Sequence, residues 1–279
     1  MSSELKYIFV DEKRMGVKKL ELSRMPDNPT IVIIAKRRSG KSWICRDILR
    51  HFKNIPVGII IAKSEYKQDN PFYGEFFPDS YIHYEYKSKI IEKLLYRQEK
   101  MIKKQKDKLK EGIVIDPRSF LLMDDCLSDK GVWAKDPLIA ELMYNGRHYK
   151  ILFILTMQAP LGIKPELRSN FDYFILLATD IQSDLKKLYE HYTGIFKTLK
   201  SFINVFKQLT KDHGAMVIAN CGADLEFSEK LLWYKATNIP LDRKIGCDQF
   251  VNYHKKNYDP EWNEKNGILE KYRKENESV

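Results

Sequence analysis

Cysteine is scarce in this sequence of 279 residues: Cys45, Cys126, Cys221 and Cys247 stand far apart, and no C-x-x-C pair occurs. That spacing excludes a zinc module and a disulfide scaffold, and the four read as reduced intracellular thiols. Long apolar runs are also missing. With no N-terminal h-region and no apolar run of about 18 residues, neither a secretion signal nor a membrane-spanning helix is encoded. Acidic residues are outnumbered, 38 against 48 Lys and Arg, and the net charge of +10 favours an anionic partner such as nucleic acid. What is plentiful is core material. At 43% hydrophobic residues, the length fits one large domain, or one domain with an appendage.

The organising stretch is Ile31-Val32-Ile33-Ile34-Ala35-Lys36-Arg37-Arg38-Ser39-Gly40-Lys41-Ser42-Trp43. Its β-branched run predicts a strand buried on both faces, and Trp43 to Phe52 has helical periodicity. Strand, small-residue loop and helix form a phosphate-binding unit, because backbone N–H groups at a helix N-terminus can replace the water around a polyphosphate. Lys41 is expected to reach the β- and γ-phosphates of ATP, and the Ser42 hydroxyl to bind Mg²⁺. Gly40 lets the backbone approach closely. Ala35 stands at the first glycine of G-x-x-x-x-G-K-[ST] and can turn the chain if its φ stays negative. Ala35 and Arg38, Ser39, Gly40, Lys41, Ser42 and Trp43 are therefore the expected nucleotide contacts.

Before this loop, residues 1–29 hold Tyr7-Ile8-Phe9-Val10, an N-terminal arm or an added edge strand. After it, Pro56 to Ala62 reads as a second buried strand, and Ser64 to Tyr86 as an ordered loop or small subdomain. Lys87 to Glu111 carries ten basic residues among spaced apolar ones and predicts a long basic helix or helical hairpin. Its exposed face suits either nucleic-acid phosphates or plain solvation. The whole of about 64–112 reads as an insertion.

Ser119-Phe120-Leu121-Leu122-Met123-Asp124-Asp125 has the form of a Walker B strand, four apolar residues ending in paired acids. Asp124 is expected to hold Mg²⁺, and Asp125 to orient or deprotonate the attacking water. A helix over Pro137 to Tyr144 precedes the strand Ile151 to Gln158, where the Gln158 amide stands at the ligand-binding edge of the sheet. Strands at Tyr173 to Ala178, Gly214 to Ala219 and Leu231 to Ala236 follow, with helices over Asp180 to Tyr192 and Ser201 to Leu209. Repeated strand and crossover implies a mainly parallel sheet with helices on both faces. A P-loop domain over 30–240 would then be followed by a hydrophilic tail, 241–279.

Together, Ala-Lys-Arg-Arg-Ser-Gly-Lys-Ser, Phe-Leu-Leu-Met-Asp-Asp-Cys, Asn-Gly-Arg-His-Tyr-Lys-Ile, Thr-Met-Gln and Pro-Glu-Leu-Arg-Ser-Asn-Phe-Asp-Tyr resemble the genome-packaging ATPases of nucleocytoplasmic large DNA viruses and virophages. These belong to the FtsK–HerA superfamily, and the resemblance covers about residues 30–220. It implies an α/β, RecA-like P-loop core and a homo-oligomeric ring, pentameric or hexameric. It also implies translocation of double-stranded DNA into a capsid or through a portal-like vertex, in the host cytoplasm or on the virion. Lys41 and Ser42 match Walker A, Asp124 and Asp125 Walker B, and Gln158 the polar sensor. Arg147 and Arg168 lie in family motifs, and the resemblance implies that one of them, with Arg168 favoured and Arg147 the alternative, is an arginine finger acting in trans. Ala35 and Arg38 depart from the family pattern.

Two other classes compete. A P-loop small-molecule kinase would need an arginine-rich lid, and the acidic pair fits hydrolysis better. A non-enzymatic, basic nucleic-acid-binding virion protein has only Ala35 in its support. A terminase-type nuclease has no further carboxylate cluster to work with.

Overall fold

The computed structural model describes residues 4–11, 13–67, 72–126, 130–160, 163–222, 226–239, 241 and 244–259. Its first half runs β1 (Leu5–Val10), β2 (Lys13–Lys19), β3 (Thr30–Ile34), α1 (Lys41–His51), β4 (Val57–Ala62), β5 (Ile82–His83), α2 (Ser88–Lys110) and β6 (Ser119–Asp124). The second half runs α3 (Lys130–Trp133), α4 (Pro137–Asn145), β7 (Ile151–Met157), α5 (Pro165–Arg168), β8 (Tyr173–Leu177), α6 (Gln182–Tyr192) and α7 (Leu199–Leu209). It ends with β9 (Ala215–Ala219), α8 (Phe227–Lys230), β10 (Leu231–Tyr234) and α9 (Asp248–Asn257).

The strands form one sheet in the order β1-β2-β10-β9-β8-β3-β7-β6-β4-β5. From β8 to β5 every pairing is parallel. Every residue of β3, β6 and β7 is buried, which is why these strands are apolar without alternation. One face carries Ile31, Ile33, Leu122 and Ile154 against Ile44 and Ile48 of α1. The other carries Val32, Leu121, Met123 and Leu155 against a layer that includes Leu94, Leu142, Leu188 and Phe206.

A strict strand-and-crossover pattern fails after β8. Two helices, α6 and α7, connect β8 to β9, so the chain crosses the sheet twice and β9 runs antiparallel to β8. β10 then runs antiparallel to β9 and parallel to β2. The loop before β9 and the segment after β10 therefore both emerge at the edge of the sheet that holds the phosphate loop.

Residues 4–11 and 13–19 resolve the arm-or-strand alternative as a pair of antiparallel strands at the sheet's edge, with Ile8 and Val17 in the core. The expected insertion is integral, since β5 extends the sheet beside β4 and Tyr73, Phe76 and Phe77 are core residues. α2 is a single helix. At about 1.5 Å per residue its 23 residues span about 35 Å, more than the sheet is deep. Buried Gln98 donates to the carbonyls of Pro117 and Tyr149, just before β6 and β7 begin, so the helix beyond it projects past the far edge of the sheet. The hydrophilic tail expected from 241 is corrected for 244–259. Ile245 is fully buried, and Phe250 stacks on Tyr81 with centroids 4.1 Å apart. Two apolar residues anchor a stretch whose average composition is polar. Residues 260–279 lie outside the described residues.

Gly58 of β4 pairs with Phe120 of β6, and a Cβ there would lie 2.1 Å from the Phe120 ring, which is itself packed on Phe77. Ala normally gains up to about 1 kcal/mol over Gly in a strand. Here overpacking reverses the sign, and Gly58→Ala is expected to destabilise by about 2–3 kcal/mol, read from the urea midpoint.

Candidate active site

The phosphate loop leaves β3 at Ala35, whose N–H donates to the Met157 carbonyl at 2.9 Å. Ala35 keeps a negative φ, so a methyl replaces the first glycine without backbone cost, whereas Arg38 has φ +61 where a glycine would be relaxed. Gly40 has φ +100, a conformation L side chains rarely adopt, and α1 begins at the next residue. Its first N–H groups face an open cleft of about 1350 Å³.

Asp124, only 2% exposed, is the hub of this cleft. Its Oδ1 accepts from Lys41 Nζ at 2.9 Å and from Thr156 Oγ1 at 2.5 Å. Its Oδ2 accepts from Tyr73 OH at 2.8 Å and faces Ser42 Oγ at 3.5 Å. Burial pushes the Lys41 ammonium down, but Asp124 and then Asp125 outweigh it and hold its pKa above the ordinary lysine value. Burial, with Asp124 adding to it, raises the Tyr73 phenol well above its usual range, so it stays a donor.

Asp125 is half-buried with φ +55, its N–H donating to Thr156 Oγ1 at 3.0 Å and its carboxylate accepting from Gln158 Nε2. Thr156 thus ties the two acids together. The structure brings Lys41, Ser42, Asp124, Asp125 and Gln158 into one cleft with Arg38, Gly40 and Trp43. Ser39 hydrogen-bonds the Lys36 carbonyl at 2.7 Å within the loop.

Arg147 and Arg168 are not in the cleft. Arg147 precedes β7 at the opposite edge of the sheet, where it pairs with buried Asp172 while remaining 60% exposed. Arg168 Nε donates to the Ile163 carbonyl at 3.2 Å, and its guanidinium lies 5.4 Å from the Tyr192 ring.

Ser42 and Asp124 offer a hydroxyl and a carboxylate to the same point, a hard-oxygen pair that suits Mg²⁺ shared with phosphate oxygens and water. Among the described residues no cluster of three or more His, Cys, Asp or Glu could hold a metal alone, so the fit is to a metal–nucleotide complex.

Several cleft residues escape sequence reasoning. Thr156 could have been found, as a polar residue in a wholly buried strand needs a partner. Tyr73 had no such signal, since its loop meets Asp124 only in the fold. His213 and Lys235 to Asn238 reach the cleft because β9 is reversed. Asp47 of α1 is buried and accepts from Tyr234 OH at 2.6 Å, Thr237 N at 3.0 Å and Thr237 Oγ1 at 2.8 Å, fixing the 234–237 segment along the cleft.

The family model described as Poxvirus A32 protein matches residues 17–230. Protein L437 of Acanthamoeba polyphaga mimivirus is 46% identical over 244 residues, 87% of this chain and 84% of the relative. Protein 075L of Invertebrate iridescent virus 6 is 32% identical over 235 residues, 83% of this chain and 87% of the relative. Among solved structures, the genome packaging NTPase B204 of Sulfolobus turreted icosahedral virus 2, in complex with ATP-gammaS, superposes with a TM-score of 0.50 at 17% identity, over 76% of this chain and 98% of that one. The pCW3 conjugation coupling protein TcpA with ATPgS gives 0.56 at 13% identity, over 90% and 71%. These two likenesses establish the fold.

Proposed function

The chain belongs to the Poxvirus A32 protein family and is a P-loop ATPase, and from that premise we propose that it spends ATP to drive double-stranded DNA into a viral capsid. The observation that carries the reading is the convergence of Lys41, Ser42, Asp124, Asp125 and Gln158 in one cleft, on a fold shared with a genome packaging NTPase.

In this scheme Lys41 leaves Asp124 for the β- and γ-phosphates, while Gly40 and its neighbours cradle them with backbone N–H groups. Ser42 and Asp124 would hold Mg²⁺, which would neutralise charge on the phosphates. Asp125, steadied by the Gln158 amide, orients the water in line with the γ-phosphate. Arg168 completes the site of a neighbouring subunit in a ring of five or six copies. Arg147 is the weaker choice, because its guanidinium is committed to Asp172. The virus factory in the host cytoplasm or the virion would be the place of action, and no described helix is long and apolar enough to cross a membrane.

The projecting half of α2 supplies a surface for DNA phosphates. Lys103 and Lys106 line a groove of about 330 Å³ with His148 and Tyr149. Contacts of this kind neutralise phosphates without reading sequence.

The test is phosphate release with and without long double-stranded DNA. DNA is expected to raise the rate, and Lys41→Ala to abolish it. Lys103→Glu with Lys106→Glu is expected to raise the DNA concentration for half-stimulation by about tenfold at low salt. Hydrolysis indifferent to DNA, in protein shown by sizing to form its ring, would overturn the motor reading.

A further inference from the structure

The chemistry of the phosphates leaves one end of the cleft unused. There Trp43 follows the phosphate loop directly, and its indole is 41% exposed in the cleft although it is large and apolar. The indole is held in place: the Arg46 guanidinium lies 3.8 Å from its centroid, and Phe72 meets it edge-on at 5.8 Å. Arg46 is itself only 8% exposed and reaches Asn238 Oδ1 at 3.5 Å. The neighbouring wall of the cleft, Lys235 to Asn238, is pinned by buried Asp47 through both the N–H and the hydroxyl of Thr237. An aromatic surface backed by a cation and exposed to the cleft beside the phosphate loop makes this end of the cleft a slot for a flat, π-faced group.

Resting on the ATPase reading above, we infer that Trp43 is the stacking platform for the nucleobase, and that this slot selects purine over pyrimidine nucleotides by stacking area rather than adenine over guanine by hydrogen bonding. The polar groups of Thr237 and the Asn238 oxygen are already engaged. Thr237 spends its N–H and hydroxyl on Asp47, the hydroxyl also accepts from Arg50 at 3.0 Å, and the Asn238 oxygen faces Arg46. A site that reads a base through committed hydrogen bonds rejects the wrong one by about 10⁴, whereas apolar contact discriminates by about tenfold to 200-fold. ATP and GTP should therefore bind within about tenfold of each other, with CTP and UTP weaker.

The experiment measures affinities of the full chain, with Mg²⁺, for ATP, GTP, CTP, UTP and inorganic tripolyphosphate, the last carrying phosphates without a base. Trp43→Ala is expected to weaken ATP and GTP by about tenfold or more, the usual scale of one lost base stack, and to narrow the gap to CTP and UTP. Tripolyphosphate should bind both proteins alike, and Trp43→Phe should restore most of the ATP affinity. The inference is overturned if Trp43→Ala binds ATP as wild type does, or loses ATP and tripolyphosphate equally. It is likewise overturned if wild type prefers ATP to GTP by a thousandfold. Wild-type protein that binds neither ATP nor tripolyphosphate would instead overturn the ATPase reading, and the inference with it.

Discussion

Asp124→Asn lowers the steady-state rate of ATP hydrolysis by about a thousandfold or more, equivalent to about 4 kcal/mol at the transition state. Both oxygens of Asp124 are acceptors, Oδ1 from Lys41 and Thr156 and Oδ2 from Tyr73. An amide turned either way sets an NH₂ against at least one of these donors, so the loss is geometric as well as electrostatic. Under the proposed scheme it also removes the carboxylate that holds Mg²⁺. The Mg²⁺ concentration for half-maximal nucleotide affinity should therefore rise in the variant, and thermal stability should fall. Asp125→Asn separates the two acids. Asp125 is half-buried and sits at φ +55, a conformation asparagine tolerates well, so its stability should stay within about 0.5 kcal/mol of wild type while hydrolysis is lost. An Asp124→Asn protein that hydrolyses ATP at the wild-type rate would remove Asp124 from the mechanism.

The phosphate loop and the acidic strand were legible in the sequence because each is local. A β-branched run stops at small residues, and four apolar residues stop at two acids. Gln158 was legible by its position, at the end of a strand that had to be parallel. What could not be read depends on contacts distant in sequence. Tyr73 reaches Asp124 from a turn-rich loop whose path is set by core packing of Tyr73, Phe76 and Phe77. The wall from Lys235 to Asn238 exists because two helices, rather than one, separate β8 from β9. The sequence gives both helices, but the reversal of strand direction follows only when their lengths are set against the depth of the sheet. Ile245 and Phe250 were lost in a polar average.

Asp47 is the least conspicuous of these residues in the sequence, an acid within a helix, and its replacement by alanine should cost about 3–5 kcal/mol of stability. Most of that comes from Tyr234, whose buried hydroxyl loses a 2.6 Å acceptor and cannot reach water. Arg50 also bonds Asp47, at 2.8 Å, but is 29% exposed and can rehydrate, so its share is smaller. Burial alone pushes the Asp47 carboxyl up, yet the bonds from Tyr234, Thr237 and Arg50 outweigh it and hold its pKa below the ordinary value. A depressed carboxyl stabilises the fold fully above its unfolded pKa of about 3.9, and that contribution is lost as pH falls through the lower folded value. The gap in urea midpoint between wild type and Asp47→Ala should accordingly be constant from about pH 7 to 5 and shrink below about pH 4. Because Asp47 also fixes Thr237, the variant should lose affinity for ATP while tripolyphosphate binding changes less. A gap that stays the same at acid pH would mean that the lost packing, and not the ionised carboxylate, carries the cost.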